Sequence, residues 1–427
     1  MRARLTPSMS DIPAEPPEPS TLRALLRRRD FVLFWLARVA ATLGVQIQSV
    51  ALGWQMYAVA RETMDVKQSA FYVGMLGLAA FIPVFLLALP AGETADRHDR
   101  RKILLWCYAG EIATAVILAA AAIFDFATIP LLLALSALFG ATRAFLGPAS
   151  TALGPMLVPK SLLPRAIALS SLALSGGSIV GPAIGGVLIA MSASAPYLAA
   201  LCLYAAAASC VFLIRGNAQP VVNPGSRWAL MKEGLSYVWN QKIVFGAISL
   251  DLFAVLLGGA TALLPVVARD ILHVGPEGFG ILRAGPAIGA TLVAITLASV
   301  PIRRHAGLIM FGGVAVFGAA TVVFGLSKWL PLSVFALAVL GGADMLSVYV
   351  RQTLVQIVTP DQMRGRVAAV SSLFIGASNE LGEFESGVVA RFLGPVGAAV
   401  FGGVGALMVT GIWAKLFPDL RRADRLE

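Results

Sequence analysis

Long apolar runs alternate with short charged segments along almost the whole chain. Most of these runs reach the roughly 20 residues that a helix needs to cross the hydrocarbon core of a bilayer. Reading the runs between charges, Pro and Gly predicts an all-α membrane protein of twelve spanning helices. The predicted spans are 31–58, 70–91, 103–124, 129–150, 166–191, 196–214, 243–268, 279–300, 306–326, 330–351, 366–390 and 394–417.

An internal repeat divides the spans into two pseudo-symmetric six-helix halves. Residues 159–172 align without a gap with residues 360–373, a shift of 201, and the same shift places Gly181 and Gly186 on Gly382 and Gly387. The shared Pro, Arg, Ser-Ser, Leu and Gly positions favour duplication over chance similarity of apolar runs. Paired halves are typical of transporters with a mid-membrane binding site. The predicted parts are a tail at 1–30, a first half at 31–214, a linker at 215–242, a second half at 243–417 and a tail at 418–427.

Composition supports a membrane protein and charge gives its orientation. Apolar residues make up 58% of the 427 positions and charged residues 13%, more apolar than a soluble core requires. The net charge of +10 is spread between apolar runs, which is not the basic face that nucleic-acid binding needs. Basic residues concentrate in alternate loops, so the positive-inside rule predicts that both termini are cytoplasmic. We expect a multi-pass protein of a bacterial inner membrane.

The loop predicted after the second helix carries an ordered set of charges. Its residues Gly92, Asp96, Arg97, Arg100 and Arg101 resemble the G-x-x-x-D-R-x-G-R-[RK] signature of the major facilitator superfamily, with Asp99 in place of the second glycine. The resemblance implies a gating loop. A carboxylate at Asp96 can sit at a helix N-terminus, and the arginines can pair with acids or lipid headgroups. The alternative is a cluster that only sets topology.

The fifth predicted helix carries closely spaced small residues. Its residues Gly177, Gly181, Pro182, Gly185 and Gly186 resemble the G-x-x-x-G-P-x-x-G-G motif of antiporters in the same superfamily. Small residues let helix backbones approach closely, and an internal proline bends a helix. The alternative is ordinary tight packing without a role in antiport.

Further matches at 53–57, 148–149, 155–159 and 364–367 extend the resemblance over nearly the whole chain. They are similar to the branch that includes the bacterial enterobactin exporter, the transmembrane secretion effector type. This implies a cavity lined by helices 1, 4, 7 and 10 and proton-driven efflux, but the identity of the substrate does not carry over. The leading hypothesis is a proton-coupled exporter of a siderophore, drug-like compound or other small organic molecule. We expect a monomeric transporter in contact with lipid rather than an enzyme.

Polar residues inside spans are candidates for function, because a charge near the bilayer centre costs roughly 2.5–3.5 kcal/mol. The candidates on helices that the resemblance places around the cavity are Arg38, Gln46, Arg143, Asp251 and Asp344. The repeat aligns Arg143 with Asp344. These two could pair across the cavity, hold a substrate of mixed charge, or each pair within its own half.

Two acids on the eleventh helix are candidates for proton coupling. Glu380 and Glu383 are three positions apart and share a helix face. Two carboxylates so close in a low dielectric favour protonation of one of them, as a proton carrier requires. The alternatives are an idle acidic rim or a partner for Arg391. Glu111, on the third helix, is expected to pair with a loop arginine.

Other driving forces and cofactors have little support in the sequence. The three histidines fall in or beside loops and form no cluster with the three cysteines, so we expect no metal site and no cofactor. The glycine pairs inside predicted helices are not followed by the Gly-Lys-Ser/Thr of a phosphate loop. The alternatives to a proton-coupled exporter are an uncoupled facilitator and a lipid-translocating protein with the same fold.

Overall fold

Within the residues that the structure describes, twelve long helices form the bundle. The computed structural model describes residues 21–216, 227–300, 302 and 304–423, and this part of the chain contains no strand. The helices are α1 Arg29–Thr63, α2 Val66–Arg97, α3 Arg100–Ile123, α4 Ile129–Leu153, α5 Leu163–Met191, α6 Ala195–Phe212, α7 Lys242–Leu257, α8 Pro276–Ser299, α9 Ala306–Leu326, α10 Leu330–Val358, and α11 and α12 within Asp361–Leu416. The predicted fold class is confirmed. Of the predicted tails and linker, residues 1–20, 217–226 and 424–427 lie outside the described residues.

The last two helices follow one another almost without a loop. Helical hydrogen bonding runs through Asp361–Leu416, but Gly394 has φ of 78° and ψ of 168° and interrupts it. Glycine adopts a positive φ without the steric cost that a Cβ brings. Pro395 follows it and has no backbone N–H to donate to the preceding turn. The segment is therefore two spans, α11 before Gly394 and α12 after it.

Several helices extend beyond their predicted polar ends. α1 continues through Arg61 and α2 through Arg97, because charged side chains at helix ends can reach water while the backbone stays helical. The prediction that Gly92, Asp96 and Arg97 lie in a loop is therefore wrong, since all three lie in the last turns of α2. Arg100 and Arg101 begin α3.

Asp99 accounts for the tight turn between α2 and α3. Its carboxylate accepts a hydrogen bond from the backbone N–H of Arg101 at 2.9 Å, and it is the N-cap of α3. Aspartate is among the residues best suited to cap a helix N-terminus. Asp99 stands where the superfamily signature has a glycine. The turn is kept, and the aspartate side chain stabilises it.

The seventh span is broken, which the sequence did not predict. α7 ends at Leu257, and a 3₁₀ turn at Ala260–Leu263 leads through a short helix to a π-helical turn at Val267–Ile271. Gly258 and Gly259, predicted inside the helix, lie at the break. Each glycine costs a helix interior about 1 kcal/mol relative to alanine. At this point the backbone packs directly on Gly382 of α11, which excludes a side chain.

The two halves, α1–α6 and α7–α12, meet through two equivalent helix pairs. α5 packs on α8 and α2 packs on α11. In each pair glycine faces glycine: a Cβ on Gly186 would lie 2.9 Å from the Cα of Gly280, and one on Gly387 would lie 2.7 Å from the Cα of Gly74. Gly186 and Gly387 are the residues that the 201-residue shift superimposes. The repeat therefore appears in the structure as a duplicated contact.

The halves touch at one end of the bundle and separate at the other. Twelve alternating helices place the start of α1 and the end of α12 at the same end, which we call the open end. The glycine contacts lie toward the opposite, closed end. Gly376 on α11 shares a helix face with Glu380 but lies further toward the open end, and no atom of another helix lies within 4 Å of an added Cβ there. A cavity between the halves therefore opens at the end where the chain termini lie.

Single-cysteine labelling tests which side of the membrane the open end faces. Arg97 and Arg421 lie near the open end and Lys328 lies in the loop between α9 and α10 at the closed end. In a chain lacking the native cysteines, Arg97→Cys and Arg421→Cys should react with an impermeant maleimide only from the cytoplasm, and Lys328→Cys only from outside. Reaction of positions 97 and 421 from opposite sides would contradict the even helix count.

Two glycines on α5 provide a matched test of the contact between the halves. In Gly186→Ala the new Cβ would lie 2.5 Å from the carbonyl oxygen of Pro276, and such overpacking costs typically about 1–3 kcal/mol. In Gly176→Ala the Cβ enters open space, and alanine stabilises a helix by up to about 1 kcal/mol over glycine. Thermal unfolding in detergent should show a lower midpoint for the first variant and an equal or higher one for the second. Equal midpoints below wild type would argue against the close contact.

Candidate functional site

A cavity of about 510 Å³ lies between the two halves. Its walls come from both halves and include three phenylalanines, Phe139, Phe279 and Phe317. The charged side chains that line it are Arg143, Arg283, Asp344, Glu380 and Glu383, and the polar uncharged ones are Gln46, Ser49, Ser136, Ser178, Thr261 and Asn379. A mostly apolar pocket with a few convergent polar groups is typical of a small-molecule site.

One ion pair crosses the cavity from one half to the other. Arg143 of α4 places Nη1 3.2 Å from Oε1 of Glu380 on α11. The Arg143 guanidinium also lies 5.6 Å from the ring centroid of Phe139, within cation–π range. The side chains keep 39% and 17% exposure, so both face the cavity rather than a sealed core. This pair links the first half to the second at mid-depth.

A second ion pair lies within the second half. Arg283 of α8 places Nη2 3.7 Å from Oε1 of Glu383, and its Nη1 donates a hydrogen bond of 3.1 Å to the carbonyl of Thr261. Arg283 was not among the site residues predicted from the sequence. The signal was present, since a charge inside the predicted span 279–300 is a functional candidate by the same argument as the others.

Glu380 and Glu383 share a helix face, and that face meets α2. A Cβ on Gly77 of α2 would lie 2.8 Å from both the carbonyl oxygen of Glu380 and the Cβ of Glu383. Each acid has an arginine partner, and both line the cavity rather than an outer rim. Arg391, their suggested partner, instead lies 5.0 Å over the ring of Phe71.

Arg143 and Asp344 both line the cavity but do not pair. Arg143 is engaged by Glu380, and Asp344 has no hydrogen bond or ion pair with any residue in the described ranges. Arg143 and Asp344 therefore do not pair with each other across the cavity. Neither of them pairs with a residue of its own half in the described ranges. Asp344 instead presents its carboxylate between the cavity and a small gap of about 10 Å³ that it shares with Asp251, Phe317 and Ser347.

Two of the predicted cavity residues lie elsewhere. Asp251 is buried in the second half and pairs with Arg351 of α10 at 3.2 Å, and Arg351 is 1% exposed and lies 3.4 Å from the hydroxyl of Ser371. Arg38 lies nearer the open end, within electrostatic range of Tyr108 on α3, and its Nε has no partner. The resemblance placed whole helices at the cavity, whereas side chains 100° apart on one helix point in different directions.

Glu111 does not pair with a loop arginine, in contrast to the prediction. It is fully buried and accepts a hydrogen bond from Thr142 of α4 at 2.5 Å, while its other carboxylate oxygen has no partner. Packing of α3 on α4 and α6 encloses the side chain. The sequence does not show which neighbouring helix the Glu111 side chain faces. Its contact with Thr142 of α4 could therefore not be predicted.

Three of the proposed gating residues, Arg97, Arg100 and Arg101, make contacts within their own half in this conformation. Arg97 pairs with Glu93 at 2.8 Å along α2. Arg100 donates to the carbonyl of Ala95 at 3.1 Å, and Arg101 donates to the carbonyl of Phe212 at the end of α6 at 3.2 Å. These contacts fit an open end at which the halves are apart.

The small residues of α5 serve packing on two sides. An added Cβ would lie 2.5 Å from Thr42 at Gly177, 2.6 Å from Gln46 at Gly181 and 3.4 Å from Val50 at Gly185, so all three glycines face α1. Gly186 faces α8 instead. Pro182 lines the cavity, so the motif joins the cavity wall to the contact between the halves.

Polar contacts join the halves at the closed end, and none of them was predicted from the sequence. Tyr57 of α1 donates a hydrogen bond to Asp270 in the π-helical turn, and Arg61 lies 3.6 Å from the same carboxylate. Lys67 donates to the carbonyl of Phe392 at 3.2 Å. These residues lie at helix ends, where a charge is usually taken to set the orientation of the helix in the membrane. Only the folded structure brings them together.

Comparison with known proteins gives a consistent result. A family model described as transmembrane secretion effector matches residues 20–427. The chain is 26% identical over 369 residues to the uncharacterized MFS-type transporter YvqJ of Bacillus subtilis, covering 82% of this chain and 86% of that one. It is 26% identical over 404 residues to the enterobactin exporter EntS of Citrobacter koseri, covering 92% of each. The crystal structure of the POT family transporter PepTSo superposes with a TM-score of 0.75 at 12% identity, over 93% of this chain and 99% of that one.

A double-mutant cycle tests the ion pair that crosses the cavity. Arg143→Gln or Glu380→Gln alone leaves one charge uncompensated among apolar walls, which is destabilising, whereas the double variant removes both charges. We expect unfolding in detergent to give a coupling free energy of about 0.5–3 kcal/mol. Glu385→Gln, on the same helix but outside the cavity lining, should show no coupling to Arg143→Gln. Additive effects for residues 143 and 380 would show that the pair is not formed.

Proposed function

The chain belongs to the transmembrane secretion effector family of the major facilitator superfamily, whose members are transporters, and we propose that it exports a small organic molecule across a bacterial inner membrane. The observation that carries the proposal is a cavity between two six-helix halves that is closed at one end and open at the other. The basic loops support a cytoplasmic location for the open end. In this conformation an exporter would receive its substrate from inside the cell.

Export by alternating access requires the closed end to separate and the open end to close. The contacts that must break include the two glycine pairs, the stacked rings of Trp54 and Phe279, the bonds of Tyr57 and Arg61 to Asp270, and the bond of Lys67 to Phe392. The proposed gating residues from Gly92 to Arg101 would then meet the second half at the cytoplasmic end. A single chain encloses the whole cavity, which supports transport by a monomer.

The substrate is proposed by class rather than by name. The relatives named as enterobactin exporters support a siderophore, and the apolar walls with scattered polar groups support a drug-like compound or metabolite equally well. Lining residues such as Gln46, Asn379 and Thr261 can supply hydrogen bonds that fix orientation.

Proton coupling is proposed to act through the ion pair between Arg143 and Glu380. Because this pair joins the halves at mid-depth, a proton on Glu380 would remove its charge and weaken that link. Protonation would thereby favour separation of the halves at the cavity, and release of the proton would restore the pair. Glu383, paired with Arg283 in the same half, would tune the same site without joining the halves.

An uncoupled facilitator is the second candidate, and one observation favours it. Both glutamates have arginine partners in this conformation, and an ion pair can stabilise a carboxylate permanently in its charged form. In that case Glu380 and Glu383 would serve structure alone, and transport would follow the substrate gradient.

Transport by inverted membrane vesicles tests both candidates. Wild-type protein should accumulate at least one member of a panel of siderophores and aromatic dyes when the vesicle interior is acidified, and an uncoupler should abolish the accumulation. Glu380→Gln should abolish accumulation but leave exchange down the substrate gradient, because the cavity and its closed end remain. Glu385→Gln is the matched control and should behave as wild type.

The contrary results are equally specific. Two results together would establish the facilitator and remove both acids as proton carriers. Transport would be unaffected by the uncoupler, and Glu380→Gln, Glu383→Gln and the double variant would behave as wild type. Transfer of labelled phospholipid between leaflets, without movement of any compound in the panel, would replace the exporter with a lipid translocator.

A further inference from the structure

One carboxylate in the cavity, that of Asp344, forms no hydrogen bond or ion pair with the residues that the structure describes. Two arginines and three acids line it. Glu380 is engaged by Arg143 and Glu383 by Arg283, which leaves Asp344 as the remaining charged lining residue. The cavity therefore carries a formal excess of one negative charge, located on α10.

Arg351 lies within electrostatic range of Asp344, but a second acid engages it. Arg351 lies two turns further along α10, but its guanidinium contacts Asp251 at 3.2 Å and Ser371 at 3.4 Å. Asp251 itself is a second acid within electrostatic range of Asp344. Two carboxylates thus share one arginine, and the geometry assigns that arginine to Asp251.

The backbone fixes the position of Asp344. Gly341 and Gly342, one turn earlier on α10, allow close packing against α8, where a Cβ on Gly342 would lie 3.0 Å from Val293 and 3.3 Å from the carbonyl of Gly289. Phe317 of α9 lines both the cavity and the small gap, as Asp344 does, so an aromatic ring and the carboxylate face the same space. A carboxylate beside an aromatic ring is suited to bind an organic cation, since the ring also attracts positive charge.

We infer that the exported compound is an organic cation, an amine or a related lipophilic cation, whose charge is held by Asp344 beside Phe317. This inference rests on the proposed function, because it assigns a chemical class to the compound in the same cavity. A carboxylate inside the bundle without a hydrogen bond or ion pair of its own is costly, and a bound cation would supply the counter-charge. A strongly anionic compound would meet the excess negative charge and find both lining arginines already engaged.

Equilibrium binding to the purified full-length protein tests the inference with two probes of similar shape. Tetraphenylphosphonium carries a positive charge and triphenylphosphine oxide carries none. Wild-type protein should bind the cation more tightly by at least about tenfold, the factor that 1.4 kcal/mol produces. Asp344→Asn should lose about that factor for the cation and leave the oxide unchanged, while Asp344→Glu should retain most of the preference.

Glu111→Gln is the matched control, because it also neutralises an acid inside the bundle but lies outside the cavity. It should bind both probes as wild type does. Equal affinity of wild-type protein for the two probes would overturn the inference without any variant, even if Asp344→Asn failed to fold. An unchanged cation preference in a folded Asp344→Asn would overturn it as well.

The outcomes also separate this inference from the proposed function. Export of neutral or anionic compounds that is insensitive to Asp344→Asn would preserve the exporter and refute the cation site. Binding of the cation that depends on Asp344, in a protein that moves no compound in vesicles, would preserve the site and refute the exporter.

Discussion

The close contact of glycine with glycine between the halves is the constraint on which the rest of the structure depends. Gly186 against Gly280 and Gly387 against Gly74 bring α5 to α8 and α2 to α11 at one end of the bundle. In lipid, helices gain little from hydrophobic burial against one another, so close van der Waals contact through small residues carries association. Because these contacts are confined to one end, the other end stays open and the cavity lies between.

Charge placement follows from the same low-dielectric surroundings. Arg143 with Glu380, Arg283 with Glu383 and Arg351 with Asp251 each match an arginine to an acid, as a buried charge requires. The three pairs differ in what they join. The first crosses between the halves, the second lines the cavity within one half, and the third is sealed in the second half. Asp344 stands apart because its carboxylate faces the cavity without such a match.

The halves are in contact at the closed end and have free space between them toward the open end, which explains how one fold could adopt a second conformation. Polar bonds at the closed end, such as Tyr57 with Asp270, and glycine contacts beside them can break without disturbing the packing inside either half. Toward the open end Gly376, on the cavity face of α11, has free space, where helices could approach. Each half can therefore move largely as a unit, since its own helices remain packed on one another.

The sequence by itself determined the twelve spans, the repeat and the glycine motif, because a bilayer imposes length and apolar composition on every span, and close helix packing requires small side chains. It misplaced the ends of α2 and the break after Leu257, since polar residues and glycine pairs do not say where a helix stops. Only the tertiary structure decided which arginine meets which acid. Those partners are set by the rotation and register of neighbouring helices, which place Asp251 beside Arg351, Glu111 beside Thr142 and Asp344 at the cavity, and no pattern along one helix contains that information.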